Sequence, residues 1–171
     1  MTIHPFDLLE LNQEGAGLLL TPCPGTRGQQ VATALEQLQA AGAEAVLTLM
    51  PETEMASNGV SNLGQLCTQR GLQWFHLPIQ DECSPAEDFA REWQKDRAAV
   101  HQLLSTGKKI AIHCKGGSGR TGLMAAQILV ERGWSKEEAT AAVKRLRPNS
   151  LTLTVHQDYL TELARRNASV E

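Results

Sequence analysis

Two rhythms of apolar and polar positions run along this chain. Short apolar runs at 16–20, 45–49, 72–77 and 108–113 are bounded by Gly, Pro or charged residues, as buried strands are. Stretches of helical spacing lie between them. Residues 28–41 set Val31, Leu35 and Leu38 on one face ahead of Gly42. Pro51 opens a short polar helix, Asn58-Gly59 marks a turn, and 60–70 carries Leu63 and Leu66 up to Gly71. After a loop at 78–83, Ser84-Pro85-Ala86-Glu87 has the form of a helix start, with Ser as cap, Pro next and Glu completing the box. That helix is expected to run to Ser105 and bury Phe89, Trp93, Val100, Leu103 and Leu104. Helical spacing resumes at 121–132 and stops at Gly133. Ser135-Lys136-Glu137-Glu138 is a further capping box, followed by Ala139, Ala142, Val143 and Leu146 on a helix that Pro148 ends. A last helix spans 154–166.

Strands alternating with helices predict an α/β fold, a central, mostly parallel four- to five-stranded sheet flanked by helices. Loops that follow parallel strands gather at one edge of such a sheet, and sites form there.

The last strand runs into Lys109-Ile110-Ala111-Ile112-His113-Cys114-Lys115-Gly116-Gly117-Ser118-Gly119-Arg120-Thr121-Gly122. This reads as strand, tight loop, helix. Five residues separate Cys114 from Arg120. A loop entering a helix points backbone N–H groups at whatever sits in its mouth, and the helix N-terminus adds positive potential. Gly116, Gly117 and Gly119 allow positive φ and close approach to a ligand, and Ser118 supplies its N–H. Arg120 offers a planar fork matched to two oxygens of a phosphate. Cys114 lies in the same field, which favours its thiolate. Such a loop binds an oxyanion and presents a nucleophile to it. A nucleotide-binding P-loop is excluded, because Arg120 stands where that motif needs Lys. The plainer reading is a buried Cys ahead of a glycine turn. It does not account for strand, Cys, glycines, Arg and hydroxyl arriving together.

Composition narrows the setting. The chain has 171 residues, 42% hydrophobic and 20% charged, which suits one globular domain over 1–171. A net charge of −3 without a basic block argues against nucleic-acid binding. Cys23, Cys67, Cys83 and Cys114 lack metal-ligand spacing, so neither metal nor cofactor is implied, and a reduced, cytoplasmic monomer is expected. Residues 1–10 do not resemble a secretory leader, and the apolar run at 123–130 is too short to span a membrane.

A thiolate that attacks a phosphate ester needs a proton donor for the departing oxygen. Asp81 lies 33 residues before Cys114, in a loop that opens on the same sheet edge. It is the candidate, against the alternative of a solvated loop residue, and Glu82 is its competitor. The His113 ring points to the opposite side of the strand from Cys114, which suits holding the loop from behind or filling the core. Thr121 is placed either to donate its hydroxyl to the sulfur or to bond helix backbone. Lys115 either favours anionic substrates or is an ordinary surface lysine. Gln157 has the spacing of a cap partner for Thr154, and Arg147 and His156 read as surface or structural residues. Cys83 is an inert thiol unless it nears Cys114, where oxidation would pair the two.

The stretch from His113 to Gly122 resembles the signature H-C-x-x-G-x-x-R-[ST] of cysteine-based protein tyrosine and dual-specificity phosphatases. Leu77-Pro78-Ile79-Gln80-Asp81 with Pro85 is similar to the acid loop of the cyclin-dependent-kinase-associated phosphatase group, though Glu82 and Cys83 stand where that group has glycines. Pro24-Gly25-Thr26-Arg27 and Leu146-Arg147 with Gln157 and Tyr159-Leu160 extend the likeness. The resemblance implies the dual-specificity phosphatase fold and two-step hydrolysis without a metal. Cys114 would attack, Asp81 act as acid and then base, Arg120 and residues 115–119 grip the phosphate, Thr121 assist the sulfur and Gln157 help place water. The expected substrate is a phosphoprotein or phosphopeptide. Alternatives are a non-catalytic phosphate-binding module, a lipid or nucleotide phosphatase on the same fold, and a sulfur transferase or arsenate reductase.

Overall fold

A computed structural model describes residues 3–169. The ends of the expected 1–171 domain, Met1, Thr2, Val170 and Glu171, lie outside the described residues. The elements run β1 (Asp7–Glu10), β2 (Gly17–Thr21), α1 (Val31–Ala40), β3 (Ala43–Thr48), α2 (Glu52–Ser57), α3 (Leu63–Gln69), β4 (Gln73–His76), α4 (Glu87–Ser105), β5 (Lys109–His113), α5 (Gly119–Glu131), α6 (Lys136–Leu146) and α7 (Thr154–Ser169).

The five strands form one sheet in the order β1-β2-β5-β3-β4. β2, β5, β3 and β4 are parallel, and β1 joins the edge antiparallel to β2. This matches the α/β expectation. β1 was not read from the sequence, because Asp7-Leu8-Leu9-Glu10 is short and carries a charge at each end.

The period-two alternation of strand side chains divides the core. Leu18, Leu20, Ala45, Leu47, Ile110 and Ile112 face the side covered by α4, α5, α6 and α7. Leu19, Val46 and Ala111 face α1, α2 and α3. Strands buried on both faces read as continuous apolar runs, as 16–20 and 110–112 do. A fully buried Leu such as Leu18 or Leu20 contributes roughly 1.5–3 kcal/mol.

Glu131 ties three helices together at the buried end of α5. It accepts from Trp93 Nε1 at 2.9 Å, Arg97 Nε at 2.7 Å, His101 Nε2 at 2.8 Å and Gln127 Nε2 at 3.0 Å. Tyr159 O–H donates to Gln127 Oε1 at 2.9 Å and brings α7 into the network. Burial alone would raise the Glu131 pKa, but the hydrogen bonds led by His101 and Gln127 outweigh it and bring the carboxyl down to about 2.

Two helix starts tested the capping rules. Ser135 behaves as expected, its hydroxyl accepting from Glu138 N–H while the Glu138 carboxylate accepts from Ser135 N–H. Ser84 does not cap α4. Pro85 biases Ser84 away from helical geometry, the chain is still extended at Ala86 (φ −118°, ψ −161°), and the helix begins at Glu87 without a side-chain cap. α5 starts earlier than the sequence suggested, at Gly119, so Arg120 lies in its first turn. Among the described residues no helix is long and apolar enough to cross a membrane.

Candidate active site

The carboxyl ends of β2, β5, β3 and β4 align at one edge. Thr21 pairs with His113, His113 with Thr48, and Thr48 with His76. Cys114 leaves the sheet immediately after this row, and the loop 114–118 curls into α5.

The loop is held from outside by its carbonyls. Cys23 N–H donates to Lys115 O at 3.0 Å. Arg147 spans the next two, Nη2 on Gly116 O at 3.0 Å and Nε on Gly117 O at 2.9 Å. Ser150 Oγ donates to Ser118 O at 2.6 Å. In a trans peptide the N–H points opposite to the preceding carbonyl. Pinning carbonyls 115–118 therefore turns the N–H groups of 116–119 to the other side, where Gly117 N–H meets Cys114 Sγ at 3.3 Å. Only Gly117 needs to be glycine for backbone reasons. Its φ is +82°, and a Cβ there would stand 2.6 Å from the Thr21 carbonyl carbon and Pro22 nitrogen. Gly116 and Gly119 are not left-handed, and a Cβ on either would meet open space, so they leave room instead.

Cys114 is 3% exposed. Its sulfur accepts from Thr121 Oγ1 at 3.1 Å, so the hydroxyl is spent on sulfur. Arg120 is 2% exposed and paired on one side only. Nη1 donates to Glu54 Oε1 at 2.8 Å and Ile79 O at 3.0 Å, and Nη2 donates to Glu54 Oε2 at 2.8 Å. Its Nε is buried without a partner among the described residues. Burial would lower the Arg120 pKa, but the hydrogen bonds of Glu54 and the charges of Cys114, Glu54 and Asp81 outweigh it and leave it raised. The guanidinium stays charged, with a buried donor left over for a ligand.

Asp81 Oδ1 stands 3.5 Å from Arg120 Nη2, and its side chain is 68% exposed. Of the two competing carboxylates, Asp81 is the one at Arg120. Glu82 is exposed and left-handed, with φ +62°.

His113 is fully buried and its pKa is pushed down to about 4, chiefly by burial. Its Nδ1 lies 3.0 Å from the Cys114 carbonyl, which only accepts, so Nδ1 carries the proton. Nε2 therefore accepts from Thr48 Oγ1 at 2.7 Å, and Thr48 accepts from Trp74 Nε1 at 2.8 Å. This relay fixes the first peptide of the loop from behind.

Other expected members lie differently. Lys115 is exposed on the outer loop, and Ser118 stands at the start of α5 without a side-chain cap bond. Gln157 is exposed, and its amide reaches back over the first turn of α7 to Leu151 O at 2.8 Å, neither capping Thr154 nor entering the loop. The four thiols are free; Cys83 is exposed, and its carbonyl is engaged by His156 Nε2 at 2.8 Å. Neither Arg147 nor His156 is a free surface residue. Arg147 supports the loop, and His156 is 1% exposed. Cys23 lies beneath the loop, its pKa pushed up to about 12 by burial first and by Cys114 and Glu54 next.

Reasoning from the sequence missed Glu54, Cys23 and Ser150. The signal for Glu54 was its place just after a strand on the same edge as Cys114. Ser150 announced itself only in three dimensions, where its hydroxyl packs over Gly122.

The chain is similar to known proteins. A family model described as a polymorphic toxin system DSP-PTPase phosphatase matches residues 24–134. The cyclin-dependent kinase inhibitor 3 of Rattus norvegicus is 30% identical over 130 residues, which are 74% of this chain and 60% of that protein. The tyrosine-protein phosphatase CDC14 of Candida albicans is 32% identical over 82 residues, 47% of this chain and 15% of that protein. The chain thus spans less than two thirds of the length of each of these relatives. A solved structure of a kinase associated phosphatase, with its catalytic cysteine replaced by serine, superposes with a TM-score of 0.84 at 25% identity over 98% of both chains.

Proposed function

Since the chain belongs to the DSP-PTPase phosphatases, we propose that it hydrolyses phosphomonoesters of phosphoproteins through a phosphocysteine intermediate. The observation that carries this reading is the buried Nε–H of Arg120, unpartnered among the described residues, in the helix turn that follows the loop of a thiol already receiving Thr121 and Gly117. A buried donor without a partner costs about 1–3 kcal/mol, and a phosphate oxygen removes that cost.

In the first step the Cys114 thiolate attacks phosphorus and the ester P–O bond breaks. Asp81 gives its proton to the departing oxygen. The N–H groups of 116–119 and Arg120 hold the three equatorial oxygens, where charge gathers in the transition state. In the second step water attacks phosphorus, Asp81 takes its proton, and the P–S bond breaks with the electron pair returning to sulfur. The Thr121 hydroxyl, 3.1 Å from Sγ, favours that departure.

The substrate is a phosphoprotein or phosphopeptide. Every group in this scheme comes from one chain, which supports a monomer acting as one catalytic domain. The nucleophile works only as a reduced thiol, which supports the cytoplasm as its setting.

The test is phosphate release from an aryl phosphate by wild type and Cys114→Ser, with inorganic phosphate binding measured on both. Release should vanish in the variant while binding remains. Release that survives Cys114→Ser, or sulfur transfer from thiosulfate in place of phosphatase activity, overturns the reading.

A further inference from the structure

The Asp81 carboxylate projects from a loop without regular structure, and its side chain is largely exposed. Such a group, left alone, samples many orientations. The backbone that carries it is nevertheless constrained at three points.

Cys83 N–H donates to Gln80 O at 3.1 Å, which closes a turn with Asp81 and Glu82 as its central residues. Glu82 takes φ +62°, the left-handed geometry that a type II turn requires at its second central position. Side chains avoid that region, and a non-glycine residue persists there when its surroundings over-determine it. The third point is the Cys83 carbonyl, which accepts from His156 Nε2 at 2.8 Å.

His156 is 1% exposed and lies in the first turn of α7. A carbonyl only accepts, so Nε2 is the donor and Nδ1 is the other ring nitrogen. That Nδ1 is buried without a partner among the described residues. The ring is therefore buried at a cost, with one hydrogen bond to show for it. α7 packs on α5, and α5 carries Arg120 and Thr121. A single body thus positions the phosphate-gripping arginine and, through His156, the turn that bears the acid.

Resting on the phosphatase reading above, we propose that His156 is a positioning residue, which holds the Asp81 turn over Arg120 by its bond to the Cys83 carbonyl. Proton delivery is then preset in the free protein. The bond acts through the orientation of Asp81, so its loss weighs on esters whose leaving group needs the proton and spares those whose leaving group departs unaided.

The test compares His156→Gln with His156→Met, side chains of similar length of which only Gln keeps an N–H donor. Both are measured on an alkyl phosphate and on an activated aryl phosphate, alone and in the Asp81→Asn background, with thermal melting as a check of folding. His156→Gln should stay within about threefold of wild type on both esters. His156→Met should lose roughly tenfold or more in kcat on the alkyl ester and about twofold on the aryl ester, with inhibition by inorganic phosphate unchanged. In the Asp81→Asn background the two should be indistinguishable. Equal rates for Gln and Met, equal losses on both esters, or a loss that persists without Asp81 would each overturn the tether while leaving the phosphatase reading intact. Wild-type protein inert on both esters would overturn that reading and the tether with it.

Discussion

Glu54 holds Arg120 by both terminal nitrogens, each donating at 2.8 Å to its own carboxylate oxygen. The pair lies between α2 and α5, with the guanidinium 2% and the carboxylate 20% exposed. This grip leaves Nε without a partner among the described residues and open to a ligand. Glu54→Gln removes one charge-assisted bond, worth about 1.5–3 kcal/mol, so kcat/KM on an aryl phosphate should fall roughly ten- to hundredfold. Glu54→Ala leaves a buried charge uncompensated and should destabilise the fold by about 3–5 kcal/mol as well. Urea titration and steady-state kinetics separate the two effects. An unchanged kcat/KM in the Gln variant would remove Glu54 from any role in aiming Arg120.

Asp81 lies 3.5 Å from Arg120 Nη2 and remains open to solvent, so the charge on Arg120 and the entering phosphate both act on it. Asp81→Asn keeps the shape and removes the proton. General acid catalysis contributes about 10²–10⁴-fold where the leaving group is a poor one. Turnover of an alkyl phosphate should therefore fall by roughly a hundredfold or more, and that of an activated aryl phosphate by about tenfold or less. Equal, small losses on both esters would dismiss Asp81 as the acid.

The pattern of residues made the strands, the helices and the Cys114-to-Arg120 loop legible because these rest on local rules. Period-two and helical spacing identify buried faces, and a glycine-rich turn between strand and helix has few structural meanings. β1 escaped because an edge strand of four residues needs little apolar sequence. Glu54, Ser150 and the loop contacts of Arg147 escaped for another reason. Each acts on the loop from at least 30 residues away in the chain, through one side chain, and no periodicity announces such a contact. Gln157 shows the converse, since its spacing suggests a cap for Thr154 and the family resemblance a role in the site, while its amide is spent on Leu151.

Acid should weaken the fold in two windows. His113 is neutral when folded, with a pKa near 4 against an ordinary 6.5. The unfolded chain thus binds more protons between those values, and stability falls as pH drops from 6.5 towards 4. The loss from this residue is on the order of 3 kcal/mol, and the lowered pKa of His4 acts in the same direction. Glu131 is ionised when folded down to about pH 2 against an ordinary 4.5, so its contribution disappears as pH falls through that lower window. His113→Asn keeps a donor for the Cys114 carbonyl and does not titrate. Urea unfolding at pH 7 and pH 5 should show a flatter dependence in this variant than in wild type. Parallel slopes would mean that His113 is not the source.

Arg147 reaches two neighbouring carbonyls of the anion loop, Gly116 at 3.0 Å and Gly117 at 2.9 Å, while Nη1 meets Asp7 at 3.1 Å. Those carbonyls set which way the N–H groups of 117 and 118 point, so a loosened fork degrades oxyanion binding before it touches the thiol. Arg147→Met should weaken inhibition by inorganic phosphate about tenfold and lower kcat/KM similarly, from loss of two bonds worth about 0.5–1.5 kcal/mol each. Arg147→Lys should recover little, because an ammonium cannot span both carbonyls as the planar fork does. Asp7→Asn removes only a partly exposed ion pair worth at most about 1 kcal/mol, and phosphate inhibition should hardly change. If Asp7→Asn matched Arg147→Met, the arginine would be acting through β1 and not through the loop carbonyls.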